Sequence, residues 1–143
     1  LRIRPNRIIV GEVRGAEAID MLQALNTGHD GSLSTGHANS PKDMLSRLES
    51  MVLMGMDLPL GAVQRQIASG IDIIVHLGRL RDKSRKVLEV SEILDYQDGE
   101  ILVSPLYRFE ETGEKDGKIQ GTWRKMDDLV HTQKLLAAGY KEV

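Results

Sequence analysis

Residues 7–37 read RIIVGEVRGAEAIDMLQALNTGHDGSLSTGH, and they predict the architecture of the amino-terminal half of the chain. Arg7–Glu12 is a β-branched run closed by a glycine and an acid, the pattern of a buried parallel strand that ends at the carboxyl edge of a sheet. Gly15–Asn26 has apolar residues at helical spacing, and Gly31–Thr35 predicts a second strand. A strand, a helix and a strand within about thirty residues predict a βαβ unit with parallel strands.

The residues that follow predict two helices and a third strand. Ser40 can cap a helix that has Pro41 in its first turn and runs to Met54. A second helix is expected over Pro59–Gly70, and Ile71–Leu77 is a β-forming run.

The last third of the chain predicts antiparallel structure. Asp98-Gly99 favours a tight hairpin between Arg85–Tyr96 and Glu100–Phe109. The polar stretch Glu110–Gly121 predicts a second hairpin or a mobile loop, and Met126–Ala138 predicts a closing helix.

These elements predict an α/β fold in two parts. We expect residues 1–81 to form a parallel βαβ core and residues 82–143 to form an antiparallel β extension with a terminal helix. A length of 143 residues suits one domain or part of a larger one. The chain begins at Leu1 rather than methionine and enters a strand within a few residues, so we expect it to be a fragment.

The composition excludes several classes of site. The absence of cysteine (Cys 0) removes disulfides, thiolate metal ligands and cysteine nucleophiles. A formal net charge of -2 argues against a dedicated nucleic-acid binder, because phosphate neutralisation needs a concentrated basic face. No signal peptide and no apolar stretch long enough for a bilayer occur, which predicts a soluble cytoplasmic protein.

Two candidate catalytic side chains follow the two predicted parallel strands. Glu12 ends the first strand and His37 follows the second, so both project from the same edge, where open α/β sheets bind ligands. A carboxylate there can hold Mg²⁺, often through water, or orient an attacking water. An imidazole can donate to a terminal phosphate, and Arg14 could add a guanidinium for phosphate or for a neighbouring subunit.

Structural roles for the same residues stay open at this point. Glu12 could instead cap the following helix, and His37 could merely shape a turn. A metal site built from His29, Asp30 and His37 is the weaker reading, because these residues lack an established zinc spacing. The basic residues at the start fit a solvated face, phosphate contacts or a subunit junction; they are Arg2, Arg4 and Arg7.

The segment LRIRPNRIIVGEVRGAEAIDMLQALNTGHDGSLSTGHANSP resembles the Walker B and histidine-box region of the ATPases that power type II and type IV secretion. The motifs GEVRGAEA, MLQALNTGHDGS and STGHANSP look most like the tight-adherence (Tad/Flp) pilus-assembly branch, of the CpaF type. QIASGIDIIVHLGRLRDKSRKV extends the resemblance to about Tyr107.

The resemblance implies part of a hexameric, RecA-like P-loop NTPase that binds ATP and Mg²⁺ and drives an inner-membrane secretion platform from the cytoplasmic side of a bacterial membrane. It implies that Glu12 is the Walker B acid near Mg²⁺ and the lytic water, although Gly11 stands where many NTPases have aspartate. It implies that His37 lies near the γ-phosphate, in a loop shaped by Thr35 and Gly36. Arg14 and Arg2 match arginines that reach phosphate or a neighbouring subunit.

The sequence departs from this family in two respects, because both the phosphate-binding loop and the acidic segment between that loop and Walker B are missing. No G-x-x-x-x-G-K-[ST] motif occurs, so the lysine and hydroxyl that contact phosphates and Mg²⁺ are missing. We therefore expect these 143 residues to be inactive alone and to self-associate through uncovered apolar faces. The alternative function is a folded interaction module of the secretion machinery without chemistry of its own.

Overall fold

The computed structural model describes residues 4–142 and has a mixed α/β fold with a parallel strand pair and a four-stranded sheet. The predicted Arg2 site lies outside the described residues. In chain order the elements are β1 (Ile9–Val10), α1 (Ala18–Asn26), β2 (Leu33–Ser34), α2 (Pro41–Gly55), α3 (Leu60–Gly70), β3 (Ile73–Arg79), β4 (Arg85–Gln97), β5 (Glu100–Lys115), β6 (Lys118–Lys125) and α4 (Gln133–Ala137).

The predicted βαβ unit is confirmed. β1 and β2 are parallel, with Ile9 opposite Leu33 and Val10 opposite Ser34, and α1 connects them. Both strands are shorter than predicted, but a backbone hydrogen bond from the Val13 N–H to the Thr35 carbonyl (2.9 Å) continues the contact beyond them. The ends of the two strands are therefore held side by side.

Three helices form the core of the first unit. The Ser40 side chain accepts a hydrogen bond from the Asp43 N–H (3.0 Å), as predicted for the start of α2. Leu22 from α1, and Val63 and Ile67 from α3, are fully buried, because helical spacing aligns each apolar residue on an inward face. Further buried residues from α1 and α2 complete this core: Ala18, Met21, Leu45, Leu48, Met51 and Val52.

The chain divides into two compact units. The first comprises the described residues up to Asp72 together with Asp95–Ile101, and the second comprises Ile73–Leu94 and the described residues from Leu102 onward. This division differs from the boundary predicted at residues 81 and 82. The reason is that β3 pairs antiparallel with β4 and so belongs to the second sheet.

The second sheet has the strand order β3-β4-β5-β6, and its hairpin turns are those that the sequence predicts. Asp98 and Gly99 have positive φ angles of 52° and 83°, which suits the tight turn between β4 and β5. Asp116 and Gly117 repeat this geometry, with φ of 52° and 70°, between β5 and β6. The stretch Glu110–Gly121 is thus a hairpin, and the alternative of a mobile loop is wrong.

The predicted closing helix is largely wrong, because the observed helix α4 covers only Gln133–Ala137. Glu92, a buried residue of β4, accepts hydrogen bonds from the N–H groups of Val130 (2.9 Å) and His131 (2.8 Å). These contacts bind the segment before α4 to β4. His131 also donates from Nε2 to the Leu94 carbonyl (2.8 Å).

Replacing the buried carboxylate should loosen this segment. In Glu92→Gln one acceptor oxygen becomes an NH₂ group that faces an N–H donor, at a cost of about 2 kcal/mol. Amide hydrogen exchange of Val130 and His131 should then accelerate about 30-fold. Glu100→Gln, at the exposed start of β5, is the control and should leave both rates unchanged. Equal rates in both variants would contradict the role assigned to Glu92.

Candidate functional site

The candidate site is built where the two parallel strands end. Glu12 lies just beyond β1 and His37 lies just beyond β2. His37 Nε2 is 2.9 Å from Glu12 Oε1, so the structure brings together the two side chains that the sequence placed at one edge. The His37 side chain is 82% exposed and that of Glu12 is 23% exposed, which leaves the imidazole accessible from solvent.

Arg14 completes the cluster from the other side of the carboxylate. Its guanidinium is 2.5 Å from Glu12 Oε2. This hydrogen bond, together with the positive charge of Arg14, lowers the pKa of Glu12 against the opposing effect of desolvation, and the charge of His37 adds to the lowering. The same pairing raises the pKa of Arg14. Glu12 is therefore held as a carboxylate with a cationic partner.

Glu12 does not occupy the N-cap position of α1, which belongs to Glu17, and the side chain of Glu17 makes no capping hydrogen bond to the helix. Glu17 Oε1 accepts hydrogen bonds from the N–H groups of Arg14 (2.7 Å) and Gly15 (3.1 Å), directly before α1. These bonds lower the pKa of Glu17. The sequence reasoning did not single out Glu17, although an acid immediately before a helix is a known sequence signal. Glu12 is thus free of a capping role.

One oxygen of Glu12 is shielded from solvent without a hydrogen bond of good geometry. Oε1 is buried, and His37 Nε2 lies near it but not in hydrogen-bonding alignment. A buried carboxylate oxygen of this kind has capacity for a water or a cation. Within residues 4–142 no group of three or more metal-binding side chains occurs, so a cation here would take Glu12 and water as ligands.

The metal site considered for His29, Asp30 and His37 is not formed among the described residues. His29 Nδ1 instead contacts the Ala24 carbonyl (3.1 Å) at the end of α1. His29 therefore binds a carbonyl at the carboxyl end of α1 and does not form a metal site with His37.

Two further predicted residues shape the backbone of the site. The Thr35 hydroxyl donates a hydrogen bond to the Gly11 carbonyl. Gly36 packs closely on α2, since a Cβ at this position would lie 2.7 Å from the terminal methyl of Met44. At Gly11, by contrast, a Cβ would meet nothing within 4 Å. The side of the site next to Gly11 is open and can accept a ligand.

Comparisons with known proteins identify the family of the chain. Residues 1–127 match the family model described as "Type II/IV secretion system protein". The conjugal transfer protein TrbB of Rhizobium radiobacter is 40% identical over 98 residues, covering 68% of this chain and 29% of that protein. The type IV secretion system protein PtlH of Bordetella pertussis is 38% identical over 104 residues, covering 69% of this chain and 30% of PtlH.

A solved structure is similar as well. The VirB11 ATPase from the Brucella suis type IV secretion system, determined in complex with sulphate, matches with a TM-score of 0.59 and 34% sequence identity. The match covers 62% of this chain and 28% of that chain. The present chain thus spans less than a third of the length of the relatives that it matches.

Removing the arginine donor should raise the pKa of Glu12 toward 4.5, its ordinary value. Arg14→Met keeps a long side chain but cannot donate a hydrogen bond. Since the folded-state pKa of Glu12 is lowered, the ion pair contributes stability above the unfolded pKa and loses it as the pH falls through the folded value. Arg14→Met should therefore lose less stability on acidification than the wild type. Carboxyl ¹³C NMR titration measures the pKa directly.

Arg47→Met is the matched control, because Arg47 and Arg14 line the same open groove on α2 but Arg47 forms no ion pair with Glu12. This variant should leave the titration of Glu12 unchanged. A Glu12 pKa that stays low in Arg14→Met would contradict the assigned cause.

Proposed function

The chain belongs to the type II/IV secretion system protein family, and on this premise we propose that it forms one wall of the ATP-hydrolysing site of a secretion motor. The observation that carries the proposal is the 2.9 Å approach of His37 Nε2 to Glu12 Oε1 at the ends of two parallel strands. In open α/β sheets, ligands bind beyond the carboxyl ends of the strands, which is the edge where Glu12 and His37 lie.

Glu12 is the proposed catalytic carboxylate of the cluster. Its shielded Oε1 can hold the lytic water or a water bound to Mg²⁺, and its low pKa keeps it ionised and able to accept a hydrogen bond. Mg²⁺, when bound with ATP, neutralises charge on the phosphate oxygens. The residues described here fit one side of such a complex, because the space beside Gly11 is open.

His37 and Arg14 are the proposed partners of the γ-phosphate. His37 Nε2 can donate to a γ-phosphate oxygen, and its exposure allows the approach. The exposed Arg14 guanidinium pairs with Glu12 here and could turn to phosphate or to a neighbouring subunit when nucleotide binds. Thr35 and Gly36 shape the loop that carries His37. Arg2 is proposed for the same purpose as Arg14.

The wider setting is proposed from the family and from the relatives. We expect the protein that contains this chain to work as a hexamer on inner-membrane platform proteins, at the cytoplasmic face, and not on nucleic acid. One relative is named as a conjugal transfer protein and another as a type IV secretion system protein, and these names support a role as a transport motor. The tight-adherence pilus branch is the specific assignment that the motifs favour.

No helix of the described part is long and apolar enough to cross a membrane.

The decisive experiment removes the carboxylate from the full-length protein. Glu12→Gln should lower magnesium-dependent ATP hydrolysis at least 100-fold and leave nucleotide binding near its original level, because it removes the group that orients water rather than the phosphate contacts. Glu49→Gln, on α2 in the same unit, is the control and should retain turnover.

The same variant separates the two functional hypotheses. Lost turnover with intact assembly supports the ATPase site. Normal turnover with lost assembly would instead support an interaction module. The 143-residue chain alone should bind ATP weakly and show no measurable hydrolysis; a magnesium-dependent rate that vanished with Glu12→Gln would contradict that expectation.

Self-association of the isolated chain is a separate expectation. Ile9 on β1 is 77% exposed and Leu33 on β2 is 64% exposed, although both lie on strands typical of a buried sheet. Ile9→Lys should reduce association by placing a charge on this face, whereas Leu136→Lys in α4 should not. Static light scattering over a wide concentration range measures the effect, and a wild-type monomer throughout would refute the expectation.

A further inference from the structure

Thr35 contacts the backbone on both sides of Glu12. Its hydroxyl donates to the Gly11 carbonyl, and its own carbonyl accepts the Val13 N–H at 2.9 Å. The peptide groups before and after Glu12 are therefore both bound by one residue. We call these two hydrogen bonds the Thr35 clamp.

The Thr35 clamp acts where the regular sheet has ended. Pairing of β1 with β2 stops at Val10 and Ser34, one residue short of Gly11 and Thr35. The clamp continues the contact to the level of Glu12. Without it, the carboxylate would sit on a chain segment beyond the last strand pair, and loop segments are more mobile than strands.

Thr35 is also close in sequence to the second candidate catalytic side chain. His37 follows Thr35 by two residues, and Gly36 between them packs tightly on Met44 of α2. Gly36 alone separates the residue that binds the Glu12 backbone from the residue that contacts the Glu12 carboxylate. A positioning error of about 1 Å in such a pair can cost about 100-fold in rate.

We propose that Thr35 is a positioning residue that sets Glu12 against His37, and that its hydroxyl serves the Gly11 carbonyl rather than the nucleotide. The inference rests on the proposed function and deepens it, because it assigns the geometry of the acid–imidazole pair to one hydroxyl. A hydroxyl is required, since neither a methyl group nor a hydrogen can donate to the carbonyl.

The test compares Thr35→Val with Thr35→Ser. Valine keeps the shape of threonine but cannot donate, whereas serine retains the donor. In the full-length protein Thr35→Val should lower kcat for ATP about 10- to 100-fold with KM changed less than about 3-fold, and Thr35→Ser should restore most of the rate. If Thr35→Val moves Glu12 away from His37, the pKa of Glu12 should rise, because the charge of His37 helps to lower it. In the isolated chain, carboxyl NMR should show this rise in Thr35→Val and a pKa near its original value in Thr35→Ser.

Thr27→Val is the matched control for the loss of a threonine hydroxyl. Thr27 donates to the Gln23 carbonyl at the end of α1, in the same unit and away from Glu12. It should change neither kcat nor the pKa of Glu12. If Thr35→Val does not fold, Thr35→Ala removes the same donor and is measured in the same way.

Three results would overturn the assignment. The first is a Thr35→Val protein with unchanged kcat and unchanged Glu12 titration, and the second is a Thr35→Ser protein as impaired as the valine variant. The third is a large rise in KM at constant kcat, which would make the hydroxyl a nucleotide ligand. The NMR measurement needs no turnover, so it tests the clamp even if Glu12→Gln shows that the proposed function is wrong.

Discussion

The contact between Glu12 and His37 depends on the parallel pairing of β1 and β2. A βαβ crossover sends both strands the same way, so their carboxyl ends meet at one edge and bring a carboxylate within 2.9 Å of an imidazole. An antiparallel arrangement would separate the two side chains by the length of the strands. The position of His37 beside Glu12 follows from this connectivity, whereas the lowered pKa of Glu12 comes mainly from Arg14, two residues along the chain.

Several elements of the fold could be predicted because their signals are local. The Ser40 cap, the apolar face with Val63 and Ile67, and the two Asp-Gly turns all use residues close together in sequence. The meeting of Glu12 with His37 was also predictable, since it requires only strand direction. The catalytic roles of these residues stay predictions.

The remaining features depend on contacts between residues far apart in sequence. The segment before α4 is held by hydrogen bonds to Glu92, and no sequence pattern near residues 126–138 indicates that partner. Asp82 similarly accepts the Ile119 N–H at 2.8 Å, and its bonds to the Ser84 hydroxyl and to that N–H lower its pKa to about 2. The division into units differs from the predicted boundary for the same reason. β3 follows two helices in the sequence but pairs with β4, so it belongs to the second sheet.

The central claim is that Glu12 and His37 face a common nucleotide. A structure of the full-length protein with Mg²⁺ and a non-hydrolysable ATP analogue tests it most directly. We expect His37 Nε2 within hydrogen-bond distance of a γ-phosphate oxygen, and the Glu12 carboxylate bound to a water of the metal or to the water aligned for attack. A nucleotide bound with both side chains turned away from the γ-phosphate would contradict it.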